Sequence, residues 1–458
     1  MPKVTFKPAG QSFEVAAGTT VLVAAIQNGL QLRHDCTEAI CGTDRVKILS
    51  GKEHLSEKNE NEELTLEMMN AAPDERLACV ARIVGDVRGT MAAPVAILAK
   101  PDDHRGILSM AEAVDAMIDA FRNWAKDPLL AELRRRTHTP KNVRITLHQG
   151  AAPAYGTTGI MAHAELVRIF GDKQKYPRRG RPVLVLYDSD TAALKLILVG
   201  EMHPKELPDA NSVVAMPTAC ASMVGTDLLA RKNCRVAGVF GAGDQAKLHL
   251  LALTCIRKSI DKVRVFSPTR ATREKFAAEM SVVLGIEVVA AESAAEVIDG
   301  ADVIVCATNS NVPVFDGDWL VPGQHVTSIV SSNIGLKKRG HVIQMRREID
   351  ERTLERADIL MTNVWGQEEL DKTAVFWEAS LDRPNIARKI VDAGEVIRGE
   401  KNARTDASQI TYFKNCAFWG IGAAAIGGLI YEKLLQQRRG LVLDFNPHEF
   451  YDDEWTED

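Results

Sequence analysis

The fold of this chain is decided by residues 235–246, which read RVAGVFGAGDQA. The apolar half, Val236–Phe240, predicts a buried strand, and apolar residues at helical spacing follow the stretch. Between them, Gly241 allows a tight turn, Gly243 lets a pyrophosphate approach the backbone, and Ala246 lets the helix pack close to the strand. A strand, a glycine turn and a helix N-terminus together predict a dinucleotide-binding unit. Six residues are assigned to the cofactor: Gly241, Ala242, Gly243, Asp244, Gln245 and Ala246.

The next strand bears on the choice between the two nicotinamide dinucleotides. Lys262–Phe266 ends about 20 residues after the glycines, where a carboxylate would bind the ribose 2′-hydroxyl of NAD. Instead of that carboxylate the chain has Ser267, Thr269 and Arg270, with Arg273 close behind. Because arginines suit a 2′-phosphate, the loop predicts NADP, with NAD as the alternative. The alternative interpretation of the same residues is a solvated basic loop.

Two later strands predict the far side of the cofactor site. Residues 301–307 lead into Thr308 and Asn309, and residues 325–330 lead into Ser331 and Asn333. Because the carboxyl ends of parallel strands form the ligand crevice of such a fold, we expect the nicotinamide to lie near these four side chains.

Composition and charge exclude several classes of protein. The chain has 458 residues, of which 46% are hydrophobic, enough for two or three cores. A net charge of -5 argues against general nucleic-acid binding. The longest apolar run, residues 416–431, is too short to span a bilayer and predicts a buried packing helix. The N-terminus opens directly into a strand pattern, and the 8 cysteines fit a reducing compartment, so we expect a cytoplasmic protein without membrane association.

Three cysteines near the N-terminus have the spacing of an iron-sulfur site. Cys36 and Cys41 begin a plant-type C-x4-C-x2-C pattern, and Cys79 follows much later. The third position of the pattern is Asp44, a harder ligand that would shift the potential and lability of a cluster. Three interpretations stay open: a cluster held by three cysteines and Asp44, a degenerate domain kept for docking, or a different metal or cluster.

Residues 1–95 resemble the small [2Fe-2S] ferredoxins of the plant and adrenodoxin type. The resemblance is carried by the helix start GTTVL at Gly18, the Cys-Gly-Thr turn at Cys41 and the Arg-Leu-Ala-Cys return that ends at Cys79. It implies a β-grasp domain, and it places Cys36, Cys41, Asp44 and Cys79 at the cluster positions.

Residues 105–440 resemble the ornithine cyclodeaminase and mu-crystallin family. The resemblance is carried by MPTACASMVGTDLLAR at 216–231, the glycine turn, VPG at 321–323, REID at 347–350 and ITYFKN at 410–415. Members include cyclodeaminases, amino-acid dehydrogenases, ketimine or imine reductases and a hormone-binding crystallin. The resemblance implies a homodimer and a nicotinamide cofactor, and Thr218 is assigned to the cofactor set.

The expected fold class is α/β, with three folded parts and a tail. A ferredoxin-like β-grasp domain covers residues 1–95, and an α+β substrate and dimerisation domain covers 105–225 and is completed by 385–440. A Rossmann dinucleotide-binding domain covers 226–384, and an acidic tail covers 441–458.

Departures from the family pattern bear on activity. The family has an arginine that clamps the substrate carboxylate where this chain has Pro217, which offers neither charge nor donor. The family's lysine in the substrate-domain strand is replaced within GIMAH at 159–163. Many members have an aspartate where this chain has Asn333, and an amide cannot act as the general base that cyclodeamination needs. Ornithine cyclodeamination is therefore disfavoured.

Three residues are candidates for the missing roles. Arg144 lies near the family's other carboxylate-binding arginine, with a plain surface charge as the alternative. His163 stands near the missing lysine; it is either an acid for a substrate nitrogen or oxygen, or a half-buried structural histidine. Asn333 would bind a polar substrate group or the nicotinamide carboxamide.

These features predict an NAD(P)H-dependent oxidoreductase that moves hydride to or from an imine, a ketimine, or an amino or keto acid. A [2Fe-2S] cluster passes single electrons, and the sequence declares no flavin to link it to hydride chemistry. We therefore expect the iron-sulfur domain to serve in redox sensing or in docking an electron-transfer protein. The alternative is a non-catalytic, redox-regulatory protein that binds NADPH or another ligand.

Overall fold

The computed structural model describes residues 1–7, 12–28, 32, 34, 36–91, 96–170, 173–190, 192–210, 212–330, 334–338 and 345–443. Ser331, Asn333 and the tail from residue 444 onward lie outside the described residues. The chain forms two compact units. One comprises Met1–His104, Val185–Val199 and Gly427–Asp458, and the other comprises Arg105–Leu184 and Gly200–Ile426.

The N-terminal part of the first unit is a five-stranded sheet with two helices. Its elements are β1 (Lys3–Lys7), β2 (Ser12–Glu14), α1 (Val21–Gln27), β3 (Arg45–Ser50), α2 (Glu60–Met68), β4 (Glu75–Leu77) and β5 (Val87–Met91). The strand order is β2-β1-β5-β3-β4, in which β1 and β5 are parallel. The hydroxyl of Thr20 caps α1, and Leu22 of this helix packs in one core with Val46 of the sheet. The predicted β-grasp fold is confirmed.

The chain then forms a second group of strands. Its elements are β6 (Ile97–Ala99), α3 (Pro101–His104), α4 (Met110–Lys126), β7 (Arg135–His138), β8 (Val143–Ala152), β9 (Thr157–Phe170), β10 (Lys173–Arg179), β11 (Val183–Asp188) and β12 (Leu194–Val199). The pattern Ser-x-x-Glu at Ser109 and Glu112 predicts a capping box, and these two residues form it at the start of α4. In the second unit, β7, β8, β9 and β10 pair antiparallel in that order. In the first unit, β6 and β12 are parallel.

A wholly parallel sheet of eight strands forms the rest of the second unit. Its elements and their helices are α5 (Ala215–Leu229), β13 (Val236–Phe240), α6 (Asp244–Ile256), β14 (Lys262–Phe266), α7 (Arg270–Leu284), β15 (Glu287–Ala290), α8 (Ala294–Ile298), β16 (Val303–Cys306), β17 (His325–Ser328), α9 (Ile334–Lys338), α10 (Glu351–Arg356), β18 (Ile359–Thr362), α11 (Trp365–Asp371), α12 (Phe376–Asp382), α13 (Pro384–Ala387), β19 (Ile390–Asp392), α14 (Ala393–Ile397) and β20 (Thr411–Lys414).

The strand order of this sheet is β15-β14-β13-β16-β17-β20-β18-β19. The chain builds outward from β13 on one side and then crosses to β16 on the other. Ligands of such sheets bind outside the carboxyl ends of the strands at this point of reversal. The predicted Rossmann fold is confirmed, and the reversal puts the glycine turn beside Thr308.

The last elements of the described chain are α15 (Gly420–Gln436) and β21 (Leu441–Val442). In the first unit, β21 pairs antiparallel with β6. The start of α15 packs directly on β8, because a Cβ at Gly420 would lie 2.2 Å from the carbonyl oxygen of Gln149. The apolar run is thus the buried packing helix that was predicted. Within the described ranges, no helix combines the length and the apolarity needed to cross a membrane.

Candidate functional site

The glycine turn lies between the ends of β13 and β16. Gly241 has a φ of 104°, and a Cβ there would lie 2.4 Å from the carbonyl oxygen of Ala307, so the position requires glycine. Gly243 is the N-cap of α6, and a Cβ there would meet no atom within 4 Å. Ala246 is fully buried, and Gln245 Oε1 is buried without a hydrogen-bond partner in the described structure. The open helix N-terminus has the geometry to bind a pyrophosphate.

The two arginines that follow β14 have different surroundings. Ser267, Thr269 and Arg270 lie together at the carboxyl end of this strand. The guanidinium of Arg273 is buried, donates to Ser267 O at 3.2 Å and pairs with Glu292 at 2.7 Å. The Arg270 side chain is 69% exposed; its Nε donates to Glu274 Oε1 at 2.7 Å, and its Nη2 lies 3.6 Å from Glu292. Arg273 therefore holds the shape of the loop, and Arg270 is the arginine that can reach a ligand.

The residues after β16 are tied to a buried carboxylate. The backbone N–H and the hydroxyl of Thr308 donate to Glu348 Oε1 at 2.6 and 2.8 Å, while Asn309 is exposed. The other carboxylate oxygen accepts the N–H groups of Ile329 and Val330, each at 2.9 Å. Burial raises the pKa of Glu348, and these donors oppose that shift. Glu348 belongs to the motif REID at 347–350, and sequence reasoning missed its role.

Polar side chains line the buried face of the antiparallel sheet. The β8–β9 register sets Arg144 opposite Glu165 and Thr146 opposite His163, and all four side chains are buried. The Arg144 guanidinium pairs with the Glu165 carboxylate. The structure thus brings the candidates Arg144 and His163 together on one face, and it excludes the surface-charge alternative for Arg144.

Three aromatic rings are stacked on this face. The rings of His163 and His148 have centroids 5.8 Å apart, and the rings of His148 and Trp419 have centroids 3.5 Å apart at an interplanar angle of 11°. His163 Nδ1, His148 Nδ1 and Trp419 Nε1 are buried and have no hydrogen-bond partner among the residues that the structure describes. Buried polar atoms without partners are rare in folded proteins. The polar edge of this ring stack is therefore a candidate ligand site.

Burial controls the protonation of the site. It lowers the pKa of His163 to about 4 and the pKa of His148 well below its usual range. Burial alone would raise the pKa of Glu165, but Arg144, His163 and Arg179 together outweigh burial and the pKa is lowered. At neutral pH the face therefore presents two neutral imidazoles beside an ion pair. A neutral imidazole donates one hydrogen bond and accepts one. Once a bound anion raises its pKa, the imidazole takes up a proton and can act as an acid.

Two further arginines connect this face to the dinucleotide half. Arg134 pairs with Asp371 at the end of α11, and its backbone N–H donates to Gln367 Oε1 of the same helix at 2.7 Å. Arg136 Nη1 lies 3.2 Å from Asp371 Oδ1. Sequence reasoning missed both arginines; their signal was the run Leu-Arg-Arg-Arg that leads into β7.

The first turn of α5 contains Pro217 and Thr218, which are buried. The Thr218 hydroxyl donates to Val214 O at 2.7 Å, and the Thr218 carbonyl accepts from Asn415 Nδ2 at 2.9 Å. The hydroxyl thus bonds within its own helical turn. The assignment of Thr218 to the cofactor stays a prediction.

The four residues assigned to the iron-sulfur site form two pairs in the first unit. Cys36 Sγ and Cys41 Sγ are 3.2 Å apart, and Cys36 Sγ also accepts the N–H of Ile40 at 3.4 Å and of Cys41 at 3.3 Å. Asp44 Oδ2 accepts the N–H of Cys79, while Asp44 Oδ1 is buried without a partner in the described part of the chain. Two pairs of ligands suit the two irons of a [2Fe-2S] cluster, and N–H groups directed at sulfur are typical of its surroundings.

The protonation of these donors bears on metal binding. Burial, together with the neighbouring Asp44, raises the pKa of the Cys79 thiol, and burial raises the pKa of Cys41 and of Asp44. Metal binding would thus have to displace protons from these groups. Across the described segments, no three His, Cys, Asp or Glu side chains are gathered as for a single metal ion.

Comparisons with known proteins match both parts of the chain. Residues 98–438 match the ornithine cyclodeaminase/mu-crystallin family, and residues 4–84 match the 2Fe-2S iron-sulfur cluster binding domain. Ketimine reductase mu-crystallin from Mus musculus is 27% identical over 267 residues, which are 58% of this chain and 74% of that protein.

Two solved structures share the fold. Delta(1)-pyrroline-2-carboxylate reductase from Thermococcus litoralis, in complex with NADH and L-proline, has a TM-score of 0.62 at 24% identity and covers 76% of this chain and 100% of its own. An archaeal alanine dehydrogenase dimer with bound NAD has a TM-score of 0.62 at 22% identity. The match covers 76% of this chain and 99% of the alanine dehydrogenase chain. Because the family match covers most of the sequence, this chain belongs to the ornithine cyclodeaminase/mu-crystallin family, with a 2Fe-2S-type domain at its N-terminus.

Proposed function

We propose that the protein is an NAD(P)H-dependent oxidoreductase that transfers hydride to or from the C=N or C=O carbon of a small imine, ketimine, or amino or keto acid. The observation that carries the proposal is the ring stack of His163, His148 and Trp419, whose buried polar edge has no partner in the described structure. This face and the glycine turn belong to the same compact unit. The relatives named as a ketimine reductase and a pyrroline carboxylate reductase support this reaction class.

The cofactor of this proposal is NADP, with the glycine turn as its pyrophosphate site. The exposed guanidinium of Arg270, beside Ser267 at the carboxyl end of β14, supports binding of a 2′-phosphate. Thr308, Ser331 and Asn333 are the proposed contacts of the nicotinamide end. The predicted ferredoxin-like domain, residues 1–95, and the predicted Rossmann domain, residues 226–384, are part of this proposal. The parallel sheet of the Rossmann domain also includes β19 and β20, which lie beyond the predicted limit at residue 384.

The mechanism uses the polar face to hold the substrate. When bound, the cofactor supplies or accepts the hydride. The Arg144 and Arg134 guanidinium groups, which stay paired with Glu165 and Asp371, would orient an anionic group of the substrate by hydrogen bonds, since the position of Pro217 offers no clamp. His163 Nδ1 holds a proton at the substrate nitrogen or oxygen as negative charge develops there. Burial of the face excludes water and strengthens these interactions.

The first test is cofactor oxidation. Purified full-length protein is mixed with NADPH or NADH and a panel of cyclic imines, or keto acids with amines. We expect turnover on at least one substrate, with a loss of about 10²-fold or more in His163→Gln if its proton is used. Tight cofactor binding without turnover on any substrate would instead favour a non-catalytic, redox-regulatory binder.

We further propose that the protein is a homodimer. Val143, Ile145 and Leu147 point away from the polar face of β8 and are 37%, 39% and 36% exposed, and Ile160 of β9 is 38% exposed. A contiguous apolar stripe of this kind indicates a surface that another protein covers. The related archaeal alanine dehydrogenase, whose solved structure is a dimer, supports a second copy of this chain as the occupant.

The N-terminal domain is proposed to hold a [2Fe-2S] cluster through Cys36, Cys41, Asp44 and Cys79. The cluster would exchange single electrons, whereas the proposed reaction moves a hydride. We therefore propose redox sensing, or docking of an electron-transfer protein, as the role of this domain. The reducing environment that such a site needs agrees with the predicted cytoplasmic location.

A further inference from the structure

Glu348 joins the carboxyl ends of two neighbouring strands. Thr308, which follows β16, donates twice to Oε1, at 2.6 and 2.8 Å. Ile329 and Val330, which follow β17, each donate to Oε2 at 2.9 Å. The side chain is buried, and four donors occupy its two oxygens. One carboxylate thus fixes both sides of the gap between these strand ends.

A buried cation holds the same edge from the next strand. Lys414 is the last residue of β20 and is 3% exposed. Its Nζ donates to Val330 O at 2.6 Å and to Asn415 O at 3.3 Å. The N–H and the C=O of Val330 are therefore bound by side chains of opposite charge, Glu348 and Lys414. Such a fixed backbone edge costs no reorganisation when a ligand binds.

We propose that Glu348 is a positioning residue for the nicotinamide end of the dinucleotide, and that it acts by holding Thr308 and residues 329–330 in place. The inference rests on the proposed function, in which the nicotinamide binds outside β16 and β17. The glycine turn follows β13, and the loop with Arg270 follows β14; neither is among the hydrogen-bond donors to Glu348 in the described structure. In the described structure, Glu348 is therefore bonded to the strand ends proposed for the nicotinamide half, whereas the glycine turn touches Thr308 without a bond to Glu348.

This division gives a test that needs no turnover. Full-length protein is titrated calorimetrically with NADPH and NADH, and with ADP-ribose and 2′-phospho-ADP-ribose, which lack the nicotinamide. In Glu348→Gln, the side chain keeps one acceptor oxygen, and its new NH2 group faces the N–H or O–H donors that the second oxygen accepted. One of the two strand ends therefore loses its hydrogen bonds to residue 348. We expect Glu348→Gln to weaken binding of the nicotinamide dinucleotide by about tenfold, the factor that corresponds to about 1.4 kcal/mol. We expect the binding of ADP-ribose and of 2′-phospho-ADP-ribose to stay unchanged.

Asp350→Asn is the matched control in the same segment. Asp350 accepts the N–H groups of Gly317 at 2.9 Å and of Thr353 at 2.8 Å, so it is also a multiply bonded carboxylate, but it binds neither strand end. We expect this variant to lose stability and to keep the wild-type ratio of the two affinities. A structural role for Glu348 would make the two variants behave alike.

Each outcome decides the inference. Equal weakening of both ligand types by Glu348→Gln, or no weakening of either, overturns it. Wild-type protein that binds no nicotinamide dinucleotide overturns the proposed function, and the inference with it. If Glu348→Gln does not fold, Glu348→Asp replaces it, because the aspartate keeps the carboxylate but is one methylene too short to keep its bonds to both strand ends. A smaller loss that is confined to the nicotinamide ligands is then expected, and an equal loss or no loss overturns the inference.

Discussion

The buried ion pair on the polar face gives the sharpest stability prediction. In Arg144→Leu, Glu165 keeps its burial but loses the guanidinium that lowers its pKa. Removal of one partner of a buried pair costs about 3–5 kcal/mol, because the remaining charge is left uncompensated. Arg179 Nε, which lies 3.4 Å from Glu165 and belongs to a side chain 34% exposed, offsets part of this cost. We therefore expect a loss of about 3 kcal/mol at pH 7.

The loss is expected to depend on pH. In the wild type, the lowered pKa of Glu165 contributes stability that is present above its usual pKa of 4.5 and is lost as the pH falls. In Arg144→Leu, burial dominates and raises the pKa of Glu165, so protonation relieves the buried charge as the pH falls. The difference between the two proteins should thus shrink between pH 7 and pH 4.

Urea unfolding of wild type, Arg144→Leu and Arg144→Leu/Glu165→Leu measures these effects. The double variant should recover most of the loss, since a buried pair replaced by apolar residues is often neutral. Arg235→Leu is the control: Arg235 pairs with Asp261, and the two side chains are 67% and 51% exposed, so its loss should stay within about 1 kcal/mol. A double variant as unstable as the single one, or a loss that does not change with pH, would refute the reasoning.

Three further predictions concern protonation, the metal site and assembly. Burial lowers the pKa of His163 to about 4, so the unfolded state binds the extra proton and stability falls as the pH drops from 6.5 to 4. His163→Gln should flatten this part of the pH–stability curve by up to about 3 kcal/mol, and an unchanged slope would contradict the burial. Asp44→Ala should lose iron and acid-labile sulfide after anaerobic purification, whereas Asp44→Cys should keep both with an altered visible spectrum; full iron content in Asp44→Ala would exclude Asp44 as a ligand. Ile145→Lys should convert the dimer to a monomer by light scattering, while Val282→Lys, at a position 84% exposed on α7, should not; a dimer in both variants would place the interface elsewhere.

Local sequence patterns predicted the parts of the fold that depend on neighbouring residues. The turn at Gly241 needs a positive φ, and the capping box at Ser109 needs a glutamate three residues later; both requirements are visible in the sequence itself. The apolar run of Val236–Phe240 predicted a strand buried on both faces, which the parallel sheet confirms.

Residue contacts far apart in sequence escaped the same reasoning. Nothing local to Glu348 indicates that four donors from two strand ends meet its carboxylate, because those donors are 18 to 40 residues away in the chain. Arg134 meets Asp371 across 237 residues, and His148 meets Trp419 only because α15 packs on β8.

The sequence by itself determined the family, the dinucleotide turn and the 2Fe-2S-type domain, since each depends on residue type and short spacing. The tertiary structure decided which polar side chains became buried together. Burial and pairing set the protonation of Glu165 and His163, and both arise only when the chain folds.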